Sequence, residues 1–491
     1  MEKLNPINSP LGTPDAAAVN RGDQRDQLYA DRKKVYPRRV YGQFRMIKWV
    51  VMALTLSVYY LLPWIRFDRG LGVPDQAFLI DFPTRKAYFF GLEIWAQEVY
   101  YATGLLILAS LALFLTTSAI GRAWCGYACP QTVWTDLFVH IERWIQGDRN
   151  QRIKLDKSPW SAKKLFLKVS THLAWLVVAA LTGGAFVFYF GDAPTLAKQF
   201  LTGTAPLTSY LFAGGLTFST YLLGGIAREQ VCIYMCPWPR IQGALVDENT
   251  LLVSYDKKRG EPRGSLKAAA AGDVLGDCID CKQCVAVCPT GIDIRDGFQL
   301  ECIQCALCVD ACNGVMDKIE RPRNLIRYAP EEHVTKKGTS LIFRARTFIY
   351  MGLIVLVGGI MLASLIVRAD LDVNIIKDRN PLFVRLSSGD VRNGYVIRLM
   401  NKQHADRPLA IRASGLKGLT LRSTDHAEGK ELQVSLPPDD SAAFKVFAVL
   451  PADAITEGVL TSGKGEITFE IVDMDGHVIS RQNAPFNGPR S

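Results

Sequence analysis

Twelve cysteines occur in the 491 residues, and eight of them repeat one spacing. Cys278-x2-Cys281-x2-Cys284-x3-Cys288-Pro289 is followed, after a short linker, by Cys302-x2-Cys305-x2-Cys308-x3-Cys312. Three thiolates two residues apart can wrap a tight loop around one iron–sulfur cubane. The fourth is carried off by the chain and, where two clusters are neighbours, ligates the other one. This spacing assigns Cys278, Cys281, Cys284 and Cys312 to one 4Fe-4S cluster, and Cys302, Cys305, Cys308 and Cys288 to a second. Structural zinc prefers paired C-x2-C knuckles separated by a longer loop. Asn313 stands where the first run has Pro289, so the turn after Cys312 is expected to be less rigid; ligation does not need that proline. Two adjacent clusters with no substrate motif nearby make a one-electron relay, tuned by burial and hydrogen bonding.

The other four cysteines form a second repeat, Trp124-Cys125-Gly126-Tyr127-Ala128-Cys129-Pro130 and Val231-Cys232-Ile233-Tyr234-Met235-Cys236-Pro237, with Arg122 or Arg228 just upstream. Each follows a pair of apolar segments, which reads as an internal duplication of a two-span unit. A helix running through the motif would put both thiols on one face. Proline at the next position disfavours helix at the second cysteine, so a helix end and turn is expected. Four thiols gathered from two such ends could hold a soft metal ion, hold a third iron–sulfur cluster, or cycle as dithiols; the alternative is four small buried residues. Thiolate favours Cu(I) over Cu(II), so a thiolate site beside an electron source could drive cupric reduction. Met235 could add a thioether, although a packing methionine is the commoner case.

The elements that must position these residues are membrane spans. With 49% hydrophobic and 21% charged residues the chain is too apolar for a uniform soluble protein. Five stretches, roughly 46–65, 99–120, 165–190, 207–227 and 347–367, are long enough to cross a hydrocarbon core as helices. Nine Lys and Arg precede the first, among them Arg32, Lys33, Lys34, Arg38 and Arg39, and eight lie in 121–164. Only four fall in 66–98, and Lys198 alone in 191–206. The asymmetry places the N-terminus and the segment between spans four and five in the cytoplasm, and the chain after about 370 on the far side. The basic start, with no apolar run ahead of it, predicts that no signal peptide is removed. The net charge of +10 is thereby explained as topology, and nucleic acid is not an expected partner.

After residue 370 short alternating runs such as Gly394–Leu399, Leu432–Leu436, Phe444–Leu450 and Glu466–Val472 are separated by Pro437-Pro438 and Asp475-Gly476. They read as a small β-sandwich. No cysteine occurs there, as suits an oxidising compartment. The expected organisation is a multi-domain membrane protein: residues 1–45 a basic N-terminal segment, 46–245 an α-helical region with four spans and both C-x3-C-P motifs, 246–346 an inserted two-cluster ferredoxin-type domain, 347–367 a fifth span, and 370–491 an all-β sandwich. After Pro130, apolar Val133, Trp134, Leu137, Phe138, Ile141, Trp144 and Ile145 alternate with Asp136, His140, Glu142 and Arg143 at helical spacing, which predicts an interfacial helix. Lys168 and His172 lie within the third span; snorkelling is expected of the first and a satisfied packing role of the second.

With these residues in hand, the sequence resembles the membrane-bound polyferredoxins of the CcoG/FixG/RdxA family, accessory proteins of cbb3-type cytochrome c oxidase. The likeness runs through Tyr36-Pro37-Arg38-Arg39, Arg85-Lys86-Ala87-Tyr88, Trp124 to Trp134, Arg228-Glu229-Gln230-Val231-Cys232 and Arg259-Gly260-Glu261-Pro262-Arg263-Gly264. It implies a multi-pass protein of the bacterial inner membrane with two 4Fe-4S clusters and a periplasmic immunoglobulin-like sandwich. The implied function is to assist oxidase assembly by reducing Cu(II) to Cu(I). By position it makes Cys278, Cys281, Cys284, Cys288, Cys302, Cys305, Cys308 and Cys312 cluster ligands, and Cys125, Cys129, Cys232 and Cys236 the candidate copper or redox thiols. Implied partners are copper ions, oxidase subunits or copper chaperones and transporters, and an electron donor. Two other readings compete with a metal reductase. One is a quinol-linked polyferredoxin serving another acceptor; the other is a non-enzymatic scaffold docking oxidase subunits through its sandwich.

Overall fold

The computed structural model describes residues 34–70, 72–247, 249–266, 274–330, 344–423, 429–456, 460 and 463–489. Arg32, Lys33 and most of the predicted N-terminal segment lie outside them. The chain divides into two compact units, residues 1–359 and 360–491.

Among the described residues, five helices are long and apolar enough to cross a membrane: Gln43–Trp64, Ala96–Ile120, Ala162–Phe190, Leu207–Ala227 and Ala345–Ile366. They lie within a few residues of the segments read from hydropathy. Their apolar side chains point outward, Leu106 at 70% and Val355 at 73% exposure, the arrangement expected where lipid rather than water is the neighbour. The second span ends at Gly121, whose φ of 61° is left-handed and turns the chain sharply into the first C-x3-C-P motif. The fourth widens into a π-helix over Tyr221–Ala227 just before the second motif.

In the first unit a three-stranded antiparallel sheet follows span one: β1 (Phe78–Asp81), β2 (Lys86–Phe89) and β3 (Leu92–Trp95). The amphipathic helix Pro130–Gln146 forms as the spacing predicts. Its polar residues are not on a wet face, however: Glu142 is 2% exposed and the Asp136 side chain 10%. Arginines and a lysine from elsewhere in the chain satisfy both, so an amphipathic pattern here marks two buried faces rather than one. Lys168 pairs with Asp156 at 2.5 Å. His172 Nδ1 lies 2.8 Å from the Tyr221 hydroxyl and its ring stands edge-on to Trp175, the satisfied packing role. The cysteine-rich segment is closed by β4 (Leu252–Tyr255) paired antiparallel with β5 (Ile326–Ala329).

In the second unit two antiparallel sheets face each other. One runs β10 (Thr420–Ser423), β12 (Ser441–Leu450), β8 (Val391–Asn401) and β6 (Leu371–Lys377), with β7 (Val384–Arg385) also on β8. The other runs β11 (Glu431–Leu436), β9 (Arg407–Ser414), β13 (Lys464–Asp473) and β14 (Val478–Asn487). The period of two puts Val391, Tyr395, Ile397 and Leu399 of β8 inward against Ile467, Phe469 and Ile471 of β13. Tyr395 packs edge-on to Phe469, and its hydroxyl donates to Pro485 O at 2.8 Å, so the polar tip of a fully buried ring is satisfied.

Candidate metal centres and the membrane thiols

Each cysteine loop contains two non-glycine residues in the left-handed region, placed alike on either side of the middle cysteine. Asp280 (φ 52°) and Lys282 (φ 53°) flank Cys281; Gln304 (φ 55°) and Ala306 (φ 56°) flank Cys305. Each costs of order 1 kcal/mol. The same two residues strained in both copies describe a backbone wound so that three successive thiols face one point. After each loop a helix begins, Gln283–Val287 in the first and Leu307–Met316 in the second. Pro289 stops the first at Cys288. Asn313 lets the second run on past Cys312 and accepts a hydrogen bond from Asn324 N at 2.8 Å, so loss of the proline lengthens the helix rather than loosening the turn.

The thiols of Cys278, Cys281, Cys284 and Cys312 line one cavity. Those of Cys288, Cys302, Cys305 and Cys308 line another, and Cys284 lines both. The fourth cysteine of each run thus stands beside the first three of the other. Backbone N–H groups of Gln304, Leu307 and Val285 point at the sulfurs of Cys302, Cys305 and Cys284, and that of Ile326 at Cys312. Tyr255 and Arg295 also reach Cys278. Arg295 is 6% exposed and is fixed by Asp293 at 2.6 Å and Asp280 at 2.5 Å, so a held positive charge sits beside the first set, as the buried Arg122 and Lys48 act on Cys302 and Cys305 of the second.

These residues fit iron–sulfur cubanes and not a single ion. Among the described residues no three of the twelve sulfurs lie within 4.8 Å of one another. Thiolates around one zinc at about 2.3 Å would stand closer than that, whereas in a cubane each thiolate binds its own iron. Burial pushes the thiols up, Cys284 to about 11 and Cys302 and Cys312 to about 12, so cationic iron must supply the charge that makes them thiolates. The crossed arrangement makes a specific prediction. Cys312→Ser is expected to destroy the same cluster as Cys281→Ser, leaving roughly half the iron, and Cys288→Ser the other one. Iron analysis with EPR of the surviving signal checks it; Cys288→Ser leaving the same signal as Cys281→Ser, with Cys312→Ser leaving the other, would refute the crossing.

The C-x3-C-P motifs lie directly against the second loop. Ala123–Tyr127 is a short helix, and Cys129, extended as the following proline requires, caps the helix from Pro130. Val231–Met235 is a π-helical turn ending at an extended Cys236. Cys125 and Cys232 pack on the apolar cluster of Val287, Ile303, Cys305 and Leu307. Gly126 has no side chain because there is no room: a Cβ would stand 2.7 Å from Ile303 O and 3.1 Å from Cys305 N. Tyr127 Oη donates to Cys305 O at 3.2 Å. Arg122, 1% exposed, donates its backbone N–H to Gln304 Oε1 at 2.8 Å, and its guanidinium to the carbonyls of Leu300, Cys302 and Pro239. One arginine therefore ties the first motif both to the second cysteine loop and to the helix that follows the second motif. Cys125 Sγ donates to Gln242 Oε1 at 3.1 Å. Burial, and then the neighbouring Cys129, pushes Cys125 up to about 12, with Cys232 and Cys236 adding to it; Cys232 rises to about 12 for the same reasons. The four thiols feel one another's charge, so a soft cation arriving among them displaces protons. Met235 is 62% exposed.

Arg122, Gly126, Gln242 and Asp310 hold the first thiol motif, the second loop and the first span together, contacts that spacing alone does not reveal. Asp310, on the second loop's helix, accepts from Arg45 N at 2.8 Å and Phe44 N at 3.3 Å and so caps the first span. Arg122, just upstream of the first motif as Arg228 is of the second, and Gly126, between two cysteines, carried a local signal.

Three segments match protein-family models: residues 101–150 a 4Fe-4S binding domain, 227–331 a 4Fe-4S dicluster domain, and 361–489 the IG-like fold at the C-terminal of FixG. With its five apolar helices the chain is a membrane-bound iron–sulfur electron-transfer protein with two 4Fe-4S clusters. It is 48% identical over 482 residues to nitrogen fixation protein FixG of Rhizobium meliloti (strain 1021), covering 91% of this chain and 92% of that protein. It is 49% identical over 438 residues to protein RdxB of Cereibacter sphaeroides (87% and 91% covered), and 44% over 477 residues to protein RdxA of the same organism (95% and 100%). The chain belongs to the FixG/RdxA family. A FixG-related protein of known structure from Vibrio parahaemolyticus aligns over 24% of this chain and 96% of its own, at 19% identity and a TM-score of 0.20.

Proposed function

We propose that the protein reduces Cu(II) to Cu(I) among Cys125, Cys129, Cys232 and Cys236, and thereby assists assembly of a cbb3-type cytochrome oxidase. The observation that carries this reading is the backbone-to-backbone contact of Gly126 with Ile303 and Cys305, which leaves no intervening layer between the first thiol motif and the second cysteine loop. The eight cysteines from Cys278 to Cys312 hold the two clusters, which when bound take up and release electrons one at a time. Cys125 and Cys232, protonated until a cation displaces their protons, offer copper soft ligands that favour the reduced ion, although no three of the four sulfurs lie within 4.8 Å of one another, so one ion takes at most two of them as they stand. The excess of Lys and Arg in residues 1–45 and 121–164 supports an orientation with the clusters on the cytoplasmic side of the inner membrane and the sandwich, residues 370–491, in the periplasm.

Replacing Cys232 and Cys236 by Ser is expected to lower cupric reduction by about a hundredfold, the scale on which a displaced reacting group costs rate, while iron content and cluster absorbance stay unchanged. Full activity in that variant would remove the membrane thiols from the reaction.

A further inference from the structure

Between the amphipathic helix and the third span runs the short helix Arg149–Lys157, which carries four cations and a single acid. That acid, Asp156, is fully engaged: it accepts from Tyr36 at 2.6 Å and pairs with Lys34 at 2.7 Å and Lys168 at 2.5 Å. Arg152 turns inward to Glu142. What is left over is positive. Lys154, Lys157 and, at the start of the span, Lys163 are exposed, and among the described residues none of their ammonium groups has an ion pair or hydrogen bond. Lys154 and Lys157 share one face of the helix with Asn150 and Ile153. With Ser158 these residues line a shallow, open hollow of about 510 Å³.

The span beside this face shows where the lipid lies. It begins at Ala162, and an outward apolar stripe opens within its first turn, with Leu165 and then Phe166 at 70% exposure, followed by Val169, Leu173, Leu176 and Val177. Such a row is stable where acyl chains cover it. Trp160, 76% exposed with the Lys164 ammonium 5.2 Å from its ring centre, stands a turn earlier, where an indole suits the headgroup layer. Lys164 donates to the carbonyls of Asp156 and Ser158, and Lys168 holds the Asp156 carboxylate, so the last turn of the short helix is fastened alongside the first two turns of the span. Lys154, Lys157 and Lys163 therefore stand at headgroup level without counter-charges of their own.

We propose that this face is a binding site for phospholipids with a net negative headgroup. The three ammonium groups answer the phosphate charge, the Asn150 amide donates to a phosphate oxygen, and Ile153 meets the glycerol carbons. An acidic protein would satisfy the same lysines, but the apolar stripe that continues from them fits acyl chains of the same molecule. The inference does not depend on the copper reading. It has a structural consequence, because Arg152 of this helix holds both Glu142 and the Pro37 carbonyl: a lipid that steadies the helix steadies the buried charge cluster behind it.

The test uses the full-length, cluster-loaded protein in vesicles of phosphatidylcholine and phosphatidylglycerol in equal parts, with the lipids it retains counted by native mass spectrometry. Phosphatidylglycerol is expected to be retained about a hundredfold over phosphatidylcholine, since each of three lysines contributes about fivefold beside an anionic headgroup. Lys154→Gln/Lys157→Gln/Lys163→Gln, all at exposed positions, should lose most of that preference while keeping its iron. Lys430→Gln/Lys464→Gln, which removes exposed charge from the sandwich, should keep it. A photoreactive phosphatidylglycerol should label the wild type within residues 150–166. Equal retention of the two lipids by the wild type, an undiminished preference in the triple variant, or labelling confined to other segments would each overturn the proposal. Soluble polyglutamate captured by the wild type and not by the triple variant, with no preference between the lipids, would assign the lysines to an acidic protein instead.

Discussion

Gly126→Ala is expected to leave both clusters loaded and the protein folded, yet to slow electron delivery to copper by about a hundredfold. The added methyl would meet Ile303 O at 2.7 Å and the N and Cα of Cys305 at 3.1 Å. These are main-chain atoms, so no rotamer change relieves the clash. Gly126 lies in the short helix Ala123–Tyr127, so alanine suits its backbone and the close approach is what the glycine serves. Overpacking of this kind costs about 1–3 kcal/mol, and the relief open to the protein is to move the motif carrying Cys125 and Cys129 off the second loop. Rapid mixing of pre-reduced protein with Cu(II) reads the rate. Gly214→Ala in the fourth span, where a Cβ meets nothing within 4 Å, is the control and should leave it unchanged. Wild-type delivery by a fully folded Gly126→Ala protein would mean that this contact is not the route.

The cysteine loops were legible because their information is local. A C-x2-C-x2-C run can close on itself only by turning back through residues such as Asp280, Lys282, Gln304 and Ala306, and the fourth cysteine is too distant to join the same loop. The spans and the sandwich were legible for a similar reason, since hydropathy and the alternation of Val391, Tyr395, Ile397 and Leu399 are properties of neighbouring residues. The docking of the thiol motifs on the second loop has no such local signature. Arg122 reaches carbonyls 178 and 180 residues away, and Asp310 caps a helix 265 residues upstream. The amphipathic helix misled for much the same physical reason: Asp136 and Glu142 have the sequence pattern of a wet face, and their burial is offset by Arg45, Lys48 and Arg228 from far along the chain together with Arg152 from the next helix. The π-helical turns at Tyr221–Ala227 and Val231–Met235 hide because one extra residue per turn barely disturbs an apolar pattern.

Among single substitutions outside the thiols, Glu142→Gln is expected to destabilise most. Glu142 Oε2 accepts from Arg152 Nη1 at 3.0 Å and from Arg228 Nη2 at 2.8 Å, and all three side chains are at most 7% exposed. Each arginine also holds main chain: Arg152 donates to Pro37 O at 2.6 Å, and Arg228 donates through Nε to Gly225 O at 2.8 Å, next to the π-helical end of the fourth span. Neutralising the carboxylate would leave two buried cations facing each other, and removing one member of such a group costs about 3–5 kcal/mol. Replacing all three by Leu, Met and Met removes the charges together and should cost less than Glu142→Gln alone, although the bonds to Pro37 and Gly225 are then lost. Burial opposes ionisation of Glu142, but Arg228 and Arg152 outweigh it and hold the carboxyl below its ordinary value. A depressed carboxyl stabilises the folded chain above its unfolded value near 4.5, and that contribution fades as pH falls through the lower folded value. Wild-type stability, read from thermal loss of cluster absorbance in detergent, should therefore drop on acidification, and Glu142→Gln should start lower and respond less. Asp136, held below its ordinary value by Lys48 and Arg45 against its own burial, keeps part of the acid dependence in that variant. Equal stability of Glu142→Gln and wild type at neutral pH would show that the arginines find other partners, and the second thiol motif would then owe its position to Arg122 and the packing of Cys232 on Ile303 and Leu307 instead.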